Sequence, residues 1–278
     1  MNQVEPEIYH VPKLSAFDFG FIRTPGPGLG NLLFPVSRAL IGQKELSGTL
    51  VYPTFRQLKV GTFLRNERDK RTYGNVFRPR NMGDWKDWSR SKNLLRVREG
   101  EFVGGQSPIA LVYEGLRGYF HDLRDHRELI HSWLEDNMIG AGQIRDAYDI
   151  GIHVRVGDFS PSTEDHSGFS VQQPADWYHL ALKEACSIVG RGHPKVILFT
   201  DGSPQEIKDL LGLDNFEVDP GKNAITSIVN LSKARVVITS RSSFSMWAAF
   251  LGQGKAIWNK NFDLTKAYPV RRASDIFV

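Results

Sequence analysis

A single cysteine, Cys186, stands in a chain of 278 residues. One thiol excludes an intramolecular disulfide and a cysteine-rich metal site, and it suits a reducing compartment. Its place in a helical pattern marks it as a packed thiol rather than a nucleophile. No apolar run approaches the ~20 residues that a bilayer span requires. The stretch MNQVEPEIYHVPK carries acids and no apolar centre, so it does not read as a secretory signal. Metal-ligand spacing is lacking as well. His121 with Asp122, and Glu164, Asp165 and His166, have ligand chemistry at no established interval. No G-x-S-x-G elbow supports serine-nucleophile chemistry. An excess of one charge is also missing: 35 Lys and Arg against 31 Asp and Glu leave +4, short of a nucleic-acid footprint. The basic segment Phe55–Arg80, with Tyr73, Phe77 and Trp85 interleaved nearby, reads as a solvated or acceptor-facing surface before an RNA-binding one.

What is present in the second half is regular. DIGIHVRVGDF (Asp149–Phe159) alternates apolar and polar residues with period two and ends in a Gly-Asp turn, which predicts a strand over Asp149–Val156. A helix is expected over Ala175–Val189, with Trp177, Leu180, Ala181, Ala185 and Ile188 on one stripe. KVILFTD, NFEVDP, RVVITS and KAIWNK read as further strands separated by helices. That alternation predicts a parallel α/β sheet.

The first half is less periodic. AFDFGFI (Ala16–Ile22) reads as a strand, followed by the glycine-rich turn TPGPGLGN and a helix from Leu32 to about Leu46. TLVYPTF and Ile109–Tyr113 read as strands, and Asp122–Met138 as a helix. A boundary in IGAGQIR divides the chain into domains of residues 1–145 and 146–278. The last helix or tail is expected to pack back on the first domain.

Three features carry chemistry. The turn at Gly26, Gly28 and Gly30 opens a helix, where backbone N–H groups approach a phosphate or sugar. It is no dinucleotide fingerprint, because the spacing is G-x-G-x-G and no acid ends the next strand. In ITSRSSFSMWAAFLG a strand runs into Ser240, Arg241, Ser242 and Ser243 before a helix begins, which is an anion site suited to a diphosphate. Capping by Ser242 or Ser243 is compatible with that role. LFTDG sets Thr200 and Asp201 at a neighbouring strand end, so three strands direct polar residues to one rim, His153, Arg155 and Asp158 among them.

Four segments, in order, resemble the α-1,2-fucosyltransferase family of GDP-sugar glycosyltransferases. GLGNLLFPVSRAL resembles its G-x-G-N-Q-L-F segment, LRGYF its G-Y-F/W-Q-S segment, HVRVGDF its H-x-R-R-G-D-Y motif, and SRSSFSMWAAFLG its N-S-S-F-S-W-W-A-A-W-L segment. The resemblance implies a GT-B type fold, two Rossmann-like domains with parallel sheets facing a cleft. It implies GDP-L-fucose in the second domain and an acceptor glycan in the first, with no metal or other cofactor. Donor-binding residues would be His153, Arg155, Thr200, Asp201, Ser240, Ser242, Ser243 and Phe244. Gly28, Gly30, Asn31, Tyr119 and Phe120 would line the donor/acceptor cleft. Arg155 and Asp158 would be catalytic, the first gripping the diphosphate.

The sequence departs from the family where Val156 replaces a second arginine, Leu32 a glutamine, Met246 a tryptophan and Ser227 an aspartate. His121 and Asp122 stand where Gln and Ser are usual. The general base stays open among Asp158, Asp18, Glu114 and His121. The expected activity is an inverting transfer in a cytoplasmic, bacterial-type enzyme without a membrane span or nucleic-acid partner. Peripheral membrane contact stays open, as does the oligomeric state. The alternatives are a glycan- or nucleotide-binding relative with the same fold, or a transferase using another GDP-sugar.

Overall fold

The computed structural model describes residues 7–64, 70–105, 108–156, 172–212, 216–220, 223–261 and 274–278. They form two compact units, with the change between Ile139 and Gly140.

The first unit contains β1 (Ile8–Lys13), α1 (Leu29–Leu46), β2 (Thr49–Leu50), α2 (Val60–Leu64), α3 (Met82–Lys92), β3 (Leu95–Arg98), β4 (Ile109–Glu114) and α4 (Arg127–Asn137). Its strands make one parallel sheet in the order β2-β1-β4-β3. Ala39 of α1 meets Ile8, Ile109, Leu111 and Tyr113 in the core beneath it. Gly42 permits that approach, because a Cβ there would collide with the Tyr113 hydroxyl. Arg38, buried on α1, pairs with Glu99 at 3.0 Å and donates to the carbonyls of Glu114, Gly115 and Arg117. Phe34 adds an edge-on contact to Phe120 with ring centres 4.8 Å apart. The helix segment GLGNLLFPVSRAL and the distant LRGYF are therefore packing partners.

Several expectations for this unit are corrected. Ala16–Ile22 is not a strand; it holds one isolated antiparallel bridge, Asp18 to Arg23. The true first strand is IYHVPK. Only Thr49 and Leu50 of TLVYPTF pair, since the following Pro53 cannot donate to a ladder. The helix expected from Asp122 is a 3₁₀ turn over His121–His126, continued by α4.

The second unit contains β5 (Tyr148–Val154), α5 (Ala175–Val189), β6 (Val196–Thr200), α6 (Pro204–Leu211), β7 (Glu217–Val218), α7 (Ala224–Ser232), β8 (Ala234–Ile238), α8 (Ser243–Leu251), β9 (Lys255–Trp258) and β10 (Ile276–Phe277). All pairings are parallel, in the order β10-β9-β8-β5-β6-β7. Counted within the unit from the β7 edge, the order is 3-2-1-4-5-6, that of a Rossmann fold. The strand order reverses between β5 and β8, and such sheets bind ligands beyond the strand ends at that reversal.

The ends of α5 fall where the sequence places them, and Gly190 closes it in the left-handed conformation at φ 67°. Its buried stripe is Trp177, Tyr178, Ala181, Ala185 and Val189; Leu180, expected inside, is 59% exposed. At the C-terminal end β10 pairs with β9, and the Val278 carbonyl accepts from Trp177 Nε1 at 3.3 Å.

Candidate functional site

β5 is flanked by β8 and β6, so the C-terminal ends of the three chemistry-bearing strands are neighbours in the sheet. In register, Ile152 faces Ile238 of β8 and Val154 faces Thr200 of β6. That pairing sets His153 and Arg155 beside Ser240–Ser243 on one side and Thr200 and Asp201 on the other.

On the β8 side the polar groups lock to one another. His153 Nδ1 lies 2.7 Å from Ser245 Oγ and 2.8 Å from Ser240 Oγ. The Ser240 N–H donates to Ser245 Oγ at 2.8 Å, and Ser240 Oγ lies 3.0 Å from Ser242 Oγ. Ser242 is the N-cap of α8, its hydroxyl accepting from the Ser245 N–H at 3.5 Å. Phe244 stacks on the His153 ring, with centroids 4.4 Å apart. Burial holds the imidazole well below its ordinary pKa; the Arg155 charge adds to that shift and Asp201 opposes it. His153 is therefore neutral at physiological pH. His153 and Ser240 are buried, at 4% and 2% exposure, and hydrogen-bonded to one another. Ser245 was not expected from sequence. Its signal is the S-x-x-S spacing from the cap, which returns a hydroxyl to the first turn. Arg241, 1% exposed at the same bend, was also passed over as a site residue.

On the β6 side, Arg155 Nη1 lies 3.2 Å from Asp201 Oδ2, with the two side chains 23% and 18% exposed. Asp201 Oδ1 accepts from the Val156 N–H at 3.0 Å, and Thr200 Oγ1 accepts from Gly202 N–H at 3.0 Å. Val156 is packed against the unit's core. A Cβ on Gly202 would collide with its Cγ2. Asp158 lies outside the described residues, as do Glu164, Asp165 and His166.

The site thus brings a guanidinium, two hydroxyl residues (Ser242 and Ser243) and the positive end of a nine-residue helix to the sheet's reversal point. Chemically these groups suit an anion, beside a neutral, hydrogen-bonded wall.

The residues expected on the first unit divide differently. Gly28 is the N-cap of α1, with Gly30 and Asn31 in its first turn. The turn's donors are partly used: Gly26 N–H bonds to Gln57 Oε1 and Leu29 N–H to Tyr73 Oη, each at 3.0 Å. Phe120 is fully buried and packs edge-on against Phe34. Tyr119, at φ 44°, sits edge-on to Phe34. Of the candidate bases, Glu114 is bound by Lys13 at 2.7 Å and approached by Arg98 at 3.5 Å. The Lys13 hydrogen bond holds its carboxyl below the usual range, which makes it a poor proton acceptor. Asp18 Oδ1 accepts from Thr54 Oγ1 at 2.7 Å and Gly20 N–H at 2.8 Å. His121 is exposed beside Asp122 at 3.2 Å. Among the described residues no cluster of three or more metal-ligating side chains occurs, and no helix is long and apolar enough to cross a membrane.

Comparison with known proteins now gives the class. Glycosyl transferase family 11 matches residues 111–277, more than half of the chain. The chain belongs to that family and is a glycosyltransferase. Among solved structures, the fucosyltransferase NodZ from Bradyrhizobium is 15% identical over 89% of this chain and 94% of its own, with a TM-score of 0.49. POFUT1 in complex with GDP is 12% identical over 98% of each chain, with a TM-score of 0.43. The Escherichia coli heptosyltransferase WaaC with ADP is 12% identical over 95% of this chain and 67% of its own, with a TM-score of 0.36. At such values these likenesses define neither substrate nor residue roles. No curated protein matches the sequence.

Proposed function

We propose that the protein transfers L-fucose from GDP-fucose to a glycan hydroxyl, with inversion and an α-1,2 linkage, its two units being the halves of a GT-B enzyme. The second unit takes the donor and the first the acceptor. The observation that carries this reading is Arg155 just past the end of β5, next in the sheet to β8, which runs into the capped start of α8, at the reversal point of a 3-2-1-4-5-6 sheet. As the acceptor oxygen attacks C1, the C1–O bond to the diphosphate breaks and negative charge grows on GDP. Arg155 and the α8 N-terminus stabilise that charge as fixed donors. Asp18 is assigned the proton from the acceptor hydroxyl, since it is not clamped in a close ion pair as Glu114 is.

The packing of Val156 on Gly202 supports a second reading, a relative that binds the nucleotide sugar without turnover, because the family's second guanidinium is replaced by core packing. Titration with GDP-fucose, GDP-mannose and UDP-galactose, with and without EDTA, tests both. The expected result is GDP-fucose binding indifferent to EDTA and weakened at least about tenfold by Arg155→Ala. Absence of GDP-sugar binding sinks the proposal; binding with no slow donor hydrolysis and no transfer selects the second reading.

A further inference from the structure

All four strands of the first unit's sheet deliver their C-terminal ends to one cavity of about 510 Å³. That volume falls within the ~300–1,000 Å³ range of small-ligand pockets. Six cationic side chains line it, Lys13, Arg23, Arg80, Lys92, Arg96 and Arg98, against two carboxylates, Asp18 and Glu114.

The acids do not neutralise the bases. Glu114 is held by Lys13 and Arg98 on one edge. Asp18 lies 3.9 Å from Arg80 and already accepts two hydrogen bonds. Among the described residues, Lys92 and Arg96 have no carboxylate within 4.0 Å. Arg23 is the more telling group. It is 1% exposed, and its Nη1 reaches only the Leu14 and Thr24 carbonyls, at 3.4 and 3.3 Å. Its Nε and Nη2 have no hydrogen-bond partner, nor does Nε1 of Trp88, which lines the same cavity. Burial lowers the Arg23 pKa to about 10, so the charge persists at neutral pH beneath the cavity floor. Burial and the Arg96 and Arg80 charges also lower the pKa of Lys92. Such a cluster is relieved by an anion.

The wall has an aromatic member as well, Trp88. It stands edge to face with Trp85, and the Arg80 guanidinium lies 5.4 Å from each ring. Lys92 Nζ lies 4.8 Å from the Trp88 ring. Gly20, at φ 89°, leaves room for Trp85, which a Cβ would approach to 2.5 Å. An apolar ring face beside fixed cations suits a sugar residue that carries an acidic group.

We propose that this cavity takes a saccharide bearing a carboxylate or a phosphate ester, so that the acceptor is an acidic glycan rather than a neutral one. The acceptor role rests on the transferase reading above; the saccharide site does not. The test uses the full chain at constant ionic strength. Calorimetric titrations compare a glucuronyl disaccharide, its neutral glucosyl counterpart, a disaccharide phosphate and inorganic phosphate, with GDP titrated separately. At least one acidic saccharide is expected to bind about tenfold or more tighter than the neutral one. Lys92→Met with Arg96→Gln should erase that preference and leave GDP affinity unchanged. The carboxylate and phosphate arms identify which anion is read. Equal or tighter binding of the neutral disaccharide overturns the proposal. So does binding of inorganic phosphate alone, or a preference that survives both substitutions. Acidic preference without GDP binding removes the donor reading and keeps the saccharide site; GDP binding without the preference does the reverse.

Discussion

Replacing Arg155 by glutamine separates a diphosphate grip from a structural ion pair. The guanidinium lies 3.2 Å from the Asp201 carboxylate, both side chains being about four-fifths covered at 23% and 18% exposure. For stability, a pair with this residual exposure is worth about 1 kcal/mol, since desolvation offsets much of the attraction. Asp201 also retains the Val156 N–H, which limits the damage. For binding, a charge-assisted hydrogen bond to a diphosphate oxygen contributes ~1.5–3 kcal/mol, or about 10- to 150-fold in the GDP dissociation constant. The binding loss should therefore exceed the stability loss. Asp201→Asn provides the contrast: it removes a competing anion from Arg155, so GDP affinity should hold or rise while stability falls by about 1 kcal/mol. Calorimetry with GDP and thermal melts on the same preparations give both quantities. Equal losses of stability in the two variants, with GDP affinity unchanged in both, would refute the assignment of Arg155 to the donor.

Two further outcomes concern the wall around it. The folded-state pKa of His153 lies below its unfolded value of 6.5, so the unfolded chain takes up the proton first as pH falls. Its contribution to stability is full above that pH and is lost as pH drops toward the folded pKa, by at most about 1.4 kcal/mol per pH unit. His10, buried between Tyr113 and Ser47, is shifted in the same direction. Melting temperature should fall through this acid range, and more gently in His153→Gln; identical slopes would remove His153 from the account. Gly202→Ala should cost ~1–3 kcal/mol through overpacking on Val156, and Val156→Ala in the same chain should recover most of it. A denaturant midpoint that ignores the second substitution would place the strain elsewhere.

The second unit was legible because each level agreed. Its strands are runs of Val, Ile and Leu, and its helices open at Asn223 and Ser242, which cap as their residue types suggest. The first unit misleads at Phe17, Phe19 and Phe21, where a period-two pattern invites a strand. All three are more than half exposed, at 65%, 56% and 66%. Periodicity reports two faces and is silent on which one meets a core. β3, LRVR, hides for the opposite reason: it is a short edge strand whose polar residues need no burial. The site divides the same way. Arg155, Ser242 and Ser243 stand at strand and helix ends that the sequence marks. The lock of His153 on Ser245, and the Arg23 charge under its cavity, depend on residues brought together only by the folded chain.

The clearest case of long-range replacement is Ser227, which stands where the family resemblance calls for an aspartate. The Ser227 hydroxyl lies 2.5 Å from Asp219 Oδ2, so a carboxylate is present after all, delivered from the end of β7 and held by the serine. Both residues line a cavity of about 160 Å³ along α7 with Asn223, Thr226 and Asn230. A guanine edge carries two N–H donors, and a buried carboxylate is the acceptor that distinguishes it from adenine. Asp219→Asn should weaken GDP by about 1.5–3 kcal/mol while leaving ADP unchanged. Ser227→Ala should have a smaller effect in the same direction, because the carboxylate remains and only its orientation loosens. Competition of GDP and ADP against a fluorescent GDP analogue reads the ratio directly. If both nucleotides lose affinity equally in Asp219→Asn, the carboxylate supports the fold around α7 and base selection lies elsewhere.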